Sequence, residues 1–195
     1  MMPRRHKISL LSLLLVAGLS ACQGKTLVVL EDPRTLIEDR SLDAAQEDSR
    51  IRLDINSLYI EQGTGQLKNV KAEVYEGAVL LIGTVGNPAD RDIAGTLAAA
   101  VKGASPVYNE IQVAPGGSLA DEAADLTIEN KVKQALRAEK EIHSVNLRWH
   151  SVNGIVYLFG RALGEAERDR ALAVIRKIEG VKDTVDHVKV VPLTN

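Results

Sequence analysis

The chain has 195 residues, a formal net charge of −2 and aromatic residues at only 3%. So few rings exclude a nucleic-acid surface built on base stacking, and the acidic balance argues against nonspecific binding to a phosphate backbone. A single cysteine excludes a disulfide framework and a Cys-x-x-Cys site.

Arg4, Arg5 and Lys7 precede an uncharged apolar run from Ile8 to Leu19. That run is too short to span a bilayer and suits the apolar region of a signal peptide. Leu19-Ser20-Ala21-Cys22 follows and resembles the bacterial lipobox. The resemblance implies a signal peptide over 1–21 and a covalent lipid on Cys22. Small residues at 20 and 21 suit a peptidase cleft, and a thiolate is a good nucleophile for acyl-glyceryl transfer. The competing reading is a secretory signal with an incidental cysteine. Gln23, in place of aspartate, points by the lipobox pattern to the outer membrane. Acyl chains at about 0.8 kcal/mol per buried CH₂ make an anchor that is hard to reverse. Residues 22–42 form a tether containing the apolar run Thr26 to Leu30 and a turn at Asp32-Pro33-Arg34. Both a disordered spacer and a strand lying on the first domain fit it.

The first domain is expected over 43–113. A helix is predicted from Leu42 to Tyr59, with Ile51, Ile55 and Leu58 on one stripe, and Gly63-Thr64-Gly65 ends it. Val70, Ala72 and Val74 alternate with Lys71, Glu73 and Tyr75, which is the period of a strand. Glu76-Gly77 predicts a two-residue hairpin that sets Val74, Ala72 and Val70 opposite Val79, Leu81 and Gly83. Asn87 caps a second helix and Pro88 opens it. Ile93, Ala94, Leu97, Ala98 and Val101 are expected to face inward, with Gly103 at the C-terminal cap. Val107, Ile111 and Val113 form a last strand.

Residues 114–120, with Pro115-Gly116-Gly117-Ser118, read as a linker, after which the pattern returns at a constant offset of 77 residues. Asp48 recurs as Asp125, Ile51 as Ile128, Asn69 as Asn146, Gly77 as Gly154, Gly83 as Gly160 and Gly103 as Gly180, with no insertion or deletion. The second domain, 121–191, is predicted to carry a helix over 121–139 with Ile128, Val132, Ala135 and Leu136 inward. A strand over 145–151, a turn at Asn153-Gly154, a strand over 155–161, a helix over 164–178 closed by Gly180 and a strand over 185–191 follow. The fold class is α+β: two tandem αββαβ domains, each a three-stranded mixed sheet with two helices on one face. Charge divides unevenly, with 6 basic and 10 acidic residues in 41–113 against 12 of each in 121–191.

The sheet face away from the helices should be polar, yet it carries Tyr75, Leu80, Ile82 and Tyr108 in the first domain. In the second it carries Val152, Ile155, Tyr157, Phe159 and Val185. Such a surface marks an interface. The preferred reading is that the repeats, or the tether, cover these faces; the other is a docking surface for a partner. His150 and His187 project to this same face and are expected to approach each other as an interfacial pair. His143 and His150 are not spaced as metal ligands on one element. Trp149 shares the core parity of Leu147. Gly83 and Gly160 are expected to admit close helix packing on the sheet.

The run Gly77-x-Val79-x-Leu81-x-Gly83, a helix closed by Gly103, and Val107-x-Asn109-x-Ile111, in α-β-β-α-β order, resemble the BON domain. The second copy follows, less well at Thr184-Val185-Asp186-His187-Val188. Signal peptide, lipobox and two such domains together resemble the dual-BON lipoproteins of the outer membrane, lipid-anchored and facing the periplasm. The resemblance implies binding to an anionic phospholipid surface and a part in envelope integrity under stress. It also implies a contact on the first helix of the second domain: Leu126, Thr127, Lys131, Lys133, Gln134 and Arg137. The cations, with Lys140, would meet headgroup phosphates and Leu126 the acyl boundary. No aromatic lies between Leu119 and Val145 to assist. The alternative is a protein-interaction adaptor that offers its apolar sheet faces to an envelope protein.

Parts for catalysis are missing from the sequence. There is no Gly-x-Ser-x-Gly and no phosphate-cradling loop ahead of a helix. The chain is therefore expected to be no enzyme. It should hold no metal and no cofactor beyond the lipid on Cys22, and take neither nucleic acid nor a small-molecule substrate.

Overall fold

A computed structural model describes residues 38–62, 65–114 and 119–191. The signal peptide, Cys22, most of the tether and the Pro115-Gly116-Gly117-Ser118 stretch lie outside the described residues. The elements are α1 (Leu42–Glu61), β1 (Val70–Tyr75), β2 (Ala78–Val85), α2 (Pro88–Ala100), β3 (Val107–Asn109) and β4 (Gln112–Val113). After them come α3 (Leu119–Ala138), a 3₁₀ turn (Ser144–Asn146), β5 (Leu147–Val152), β6 (Ile155–Ala162), α4 (Glu165–Ile175) and β7 (Asp183–Val190). The chain is α+β, with a mixed sheet in each half: β1 and β5 run antiparallel to the central strands β2 and β6, while β3, β4 and β7 run parallel to them.

Register follows the predicted turn chemistry. Val74, Ala72 and Val70 stand opposite Val79, Leu81 and Gly83. Both turn residues take positive φ, 49° at Glu76 and 78° at Gly77, and Asn153-Gly154 repeats this at 54° and 82°, the geometry that matches strand twist. Gly83 and Gly160 serve a different purpose from the one expected. The nearest atoms are neighbouring backbone: a Cβ at Gly83 would lie 2.0 Å from the Asn69 carbonyl oxygen, and one at Gly160 would lie 2.2 Å from that of Asn146. These carbonyls belong to the residues just before Val70 and Leu147, the ladder partners of Gly83 and Gly160.

Each domain buries its own core between sheet and helices. Ile51, Ile55, Val79, Leu81, Ala94 and Ala98 centre the first, and Val132, Leu136, Val156, Leu158, Ala171 and Ile175 centre the second. Trp149 packs against the second core and donates its indole N–H to the Glu129 carbonyl at 3.1 Å. Two details of α2 differ from expectation. Ile93 is 42% exposed, because the inward stripe is centred on Ala94, Ala98 and Val101 and leaves Ile93 at its margin. The helix stops at Ala100, and Val101 leaves it in extended conformation to bury its side chain, so Gly103 lies in the turn beyond the cap. The last strand of the first domain is split. Asn109 Oδ1 accepts from the Ile111 N–H at 3.4 Å, a local bond that competes with the ladder, and Val113 at the far end is exposed.

The two sheets pack face to face, giving helices, sheet, sheet, helices in four layers. Tyr75, Leu80, Ile82, Tyr157 and Phe159 are each at most 3% exposed and form one cluster, with Tyr108, Val152, Ile155 and Val185 around it. The repeats therefore cover each other's apolar faces. The faces read as a docking surface for an envelope protein are thus buried against each other among the described residues.

Candidate functional site

Two places carry unusual polar chemistry: the outward face of α3 and the seam between the sheets. On α3, Ile128, Val132 and Leu136 turn inward. At 100° per residue the opposite face then presents Leu126, Asn130, Lys133 and Arg137 in a line, with Thr127 and Gln134 beside it. All six are exposed, Leu126 by 60%. Thr127 donates back to the Ala123 carbonyl at 2.8 Å. Lys131 is set apart, since its Nζ lies 3.3 Å from both the Glu179 carboxylate and the Glu179 carbonyl. The structure thus brings Leu126, Thr127, Lys133, Gln134 and Arg137 together and turns Lys131 aside. From Ala123 to Arg137 this face carries no carboxylate. The equivalent line on α1 carries Ser49, Leu53, Asn56 and Ile60, and Arg50, which stands where Thr127 does, is paired with Glu47 and Asp54.

The seam contains pairs that the spacing pattern did not reveal. His150 and His187 do not approach each other; β6 lies between their strands, which are therefore about 10 Å apart, and the two positions are offset along them. Instead His150 Nε2 meets Glu73 Oε1 at 2.9 Å, and His187 Nε2 meets Glu110 Oε1 at 2.9 Å. His187 also stacks on Tyr108, ring centroids 4.2 Å apart. His150 Nδ1 lies 3.4 Å from Glu129 Oε1, an ion-pair contact without hydrogen-bond geometry. Burial opposes a charge on His150, but the contacts with Glu129 and Glu73 outweigh it and push the imidazole up to about 9. Burial works against charge on Glu73 and Glu129 too, yet His150 holds both below the usual carboxylate range.

These contacts are related by a pseudo-two-fold axis. Glu73 and His150 are equivalent positions of the two repeats, as are Glu110 and His187, so both pairs sit on the axis. Off the axis, Lys189 Nζ to Glu76 Oε2 at 3.4 Å is matched by Asn153 Nδ2 to Gln112 Oε1 at 2.8 Å, the same two positions exchanged between repeats. An interface in which position i meets j while j meets i is isologous.

Asp48 and Asp125 acquire a role here that their recurrence alone signalled. The Asp48 carboxylate accepts from the Glu76 and Gly77 amides, both at 2.8 Å. Asp125 accepts from Asn153 at 2.7 Å, from Gly154 at 2.8 Å and from the Ser151 hydroxyl at 2.6 Å. Each first helix thereby holds the hairpin turn of its own domain. Residues Glu38 to Arg40 form a strap along one side of the seam. Glu38 pairs with Arg148, Asp39 exchanges two 2.8 Å hydrogen bonds with Asn146, and Arg40 pairs with Asp48 and lies 4.7 Å over the Tyr75 ring. Among the described residues no group of three or more histidine, cysteine or acidic side chains could hold a metal ion, and no helix is long and apolar enough to cross a membrane.

A doubled αββαβ unit closed sheet to sheet, with glycines at the hairpin and on the central strand, defines a tandem two-domain architecture. The BON domain family matches residues 47–115 and 124–192, and the chain belongs to it, with two copies of the domain. It is similar to the outer membrane lipoprotein DolP of Haemophilus influenzae, 31% identical over 80% of this chain and 78% of that one. An uncharacterized protein of Anaplasma centrale is 31% identical over 73% of this chain and 94% of its own length. The osmotically-inducible protein Y of Escherichia coli is 24% identical over 73% and 72% of the two chains.

Proposed function

We propose that this chain is a non-enzymatic envelope lipoprotein, anchored through Cys22 to the outer membrane and facing the periplasm, whose α3 face binds anionic phospholipid. The observation that carries the reading is the composition of that face. Lys133 and Arg137 project from it without an ion pair among the described residues, and Leu126 is exposed beside them. The equivalent line on α1, built on the same scaffold, carries no charge, and Arg50 beside it is paired with Glu47 and Asp54. A cationic stripe with an apolar residue at its end suits a headgroup layer, where each cation contributes about 1 kcal/mol near an anionic surface. The names of the relatives, an outer membrane lipoprotein and an osmotically-inducible protein, support an envelope role under stress. The sheet faces that an adaptor would use are buried between the repeats, which supports the lipid reading over it.

Vesicle co-sedimentation of the chain from residue 23 onward tests the lipid contact. Binding to phosphatidylglycerol or cardiolipin vesicles should weaken with added salt and should fall about tenfold in Lys133→Glu/Arg137→Glu. Absence of binding at low salt would overturn it. Membrane fractionation of Cys22→Ser tests the anchor: the variant should leave the membrane fraction, and a variant that stays would remove the anchor from the account.

A further inference from the structure

The pseudo-two-fold axis generates two seams, and the described residues fill them differently. One holds the strap, Glu38-Asp39-Arg40, against Asn146, Arg148, Tyr75 and Asp48. The equivalents of those four in the other repeat are Asn69, Lys71, Val152 and Asp125. All four line a single cleft of about 340 Å³ between β1 of the first domain and α3 and β5 of the second. The cleft is therefore the symmetry counterpart of the strap's groove, built on the same backbone scaffold. The residues that precede α3 where Glu38-Asp39-Arg40 precede α1 are Pro115-Gly116-Gly117, a run with no charged residue.

We propose that this cleft is a binding site for an extended peptide segment in which acidic residues are followed by a cationic one, the chemistry of the strap itself. Asn69 offers the amide that Asn146 uses to hold Asp39, and Lys71 offers the charge that Arg148 presents to Glu38. Both are exposed, and among the described residues neither side chain makes a hydrogen bond or ion pair. Lys68 adds a second cation on the same wall. The opposite wall is acidic: Glu122 and Glu129 stand where α1 has Ala45 and Arg52. A purely acidic peptide would be repelled by that wall, whereas a cation in third place would meet carboxylates. Val152 in place of Tyr75 removes the ring over which Arg40 lies and widens the seam. Its volume falls in the range of small ligand sites, about 300–1,000 Å³. An extended chain also supplies the backbone groups that a polar cleft can bond.

The test uses the full chain in detergent and a labelled synthetic peptide, Leu-Ile-Glu-Asp-Arg-Ser-Leu, followed by fluorescence anisotropy. Lys71→Glu should weaken binding about tenfold or more, since a charge-assisted bond is lost and a repulsion gained. Asn69→Ala should weaken it less, and a peptide with both acidic residues changed to lysine should not bind. Arg148→Ala, which loosens only the strap's own groove, should leave the affinity unchanged, as should Lys133→Glu/Arg137→Glu on the lipid face. Both cleft residues are exposed, so unchanged thermal unfolding of their variants is the folding control. Absence of binding overturns the proposal. So does binding that survives Lys71→Glu and is lost in Arg148→Ala, which would mean exchange into the strap's groove.

Discussion

Glu73 and His150 stand one full repeat apart in the chain, and their side chains meet at 2.9 Å across the joint between the domains. Glu110 and His187 repeat the relationship at the same distance. At both places on the axis the first repeat supplies a carboxylate and the second an imidazole. Two copies of the first repeat would set glutamate against glutamate there, and two copies of the second would set histidine against histidine. The axis pairs thus favour one of each, which is how a duplicated module discriminates its partner from itself.

His187→Glu places like charges on the axis and should lower stability by about 1–2 kcal/mol. The exchanged double variant Glu110→His/His187→Glu should recover at least half of that loss. Urea denaturation of the three chains measures it; an exchanged variant no more stable than the single one would show that charge does not decide the pairing.

His150 makes the joint pH-dependent. Its folded value of about 9 lies above the ordinary 6.5, so its contribution is fully present below pH 6.5 and is lost as the pH rises through 9. Glu73 and Glu129, held low, contribute above their ordinary carboxylate range and lose that contribution as the pH falls through their depressed values. The wild-type urea midpoint should therefore fall between pH 7 and 9.5, and His150→Gln should flatten that decline.

Asp125→Ala should cost about 2–4 kcal/mol, because three donors lose their acceptor at once. Amide exchange at Asn153 and Gly154 should accelerate more than exchange in the core of β6. Asp48→Ala should behave alike at Glu76 and Gly77, and should also release the strap's Arg40 from α1.

Gly160→Ala meets two obstacles, a φ of +113° and a Cβ 2.2 Å from the Asn146 carbonyl oxygen. A loss of about 3 kcal/mol or more is expected, since backbone must move. Gly83→Ala should be equally costly, whereas Gly164→Ala, with open space around it, should be mild. Thermal unfolding separates the three.

Much of this architecture was legible in the residues. Alternation in Val70 to Tyr75, the turn at Asn153-Gly154 and the cap Asn87-Pro88 act over a few residues, so each declares its element and its register locally. The offset of 77 residues fixed that there are two like domains, and the apolar pattern at Leu80, Ile82, Tyr157 and Phe159 required that something cover them. Tertiary structure alone decided what did. Docking the sheets about an axis sets Glu73 against His150 and keeps His150 from His187, because strands two apart in one sheet cannot bring their side chains together. Packing within the second domain turned Lys131 toward Glu179 and left Lys133 and Arg137 outward, a distinction of helix azimuth that composition does not carry. The strap along one seam and the cleft along the other follow from the same docking: sequence supplies equivalent residues, and only their assembly around the axis determines which ones find partners.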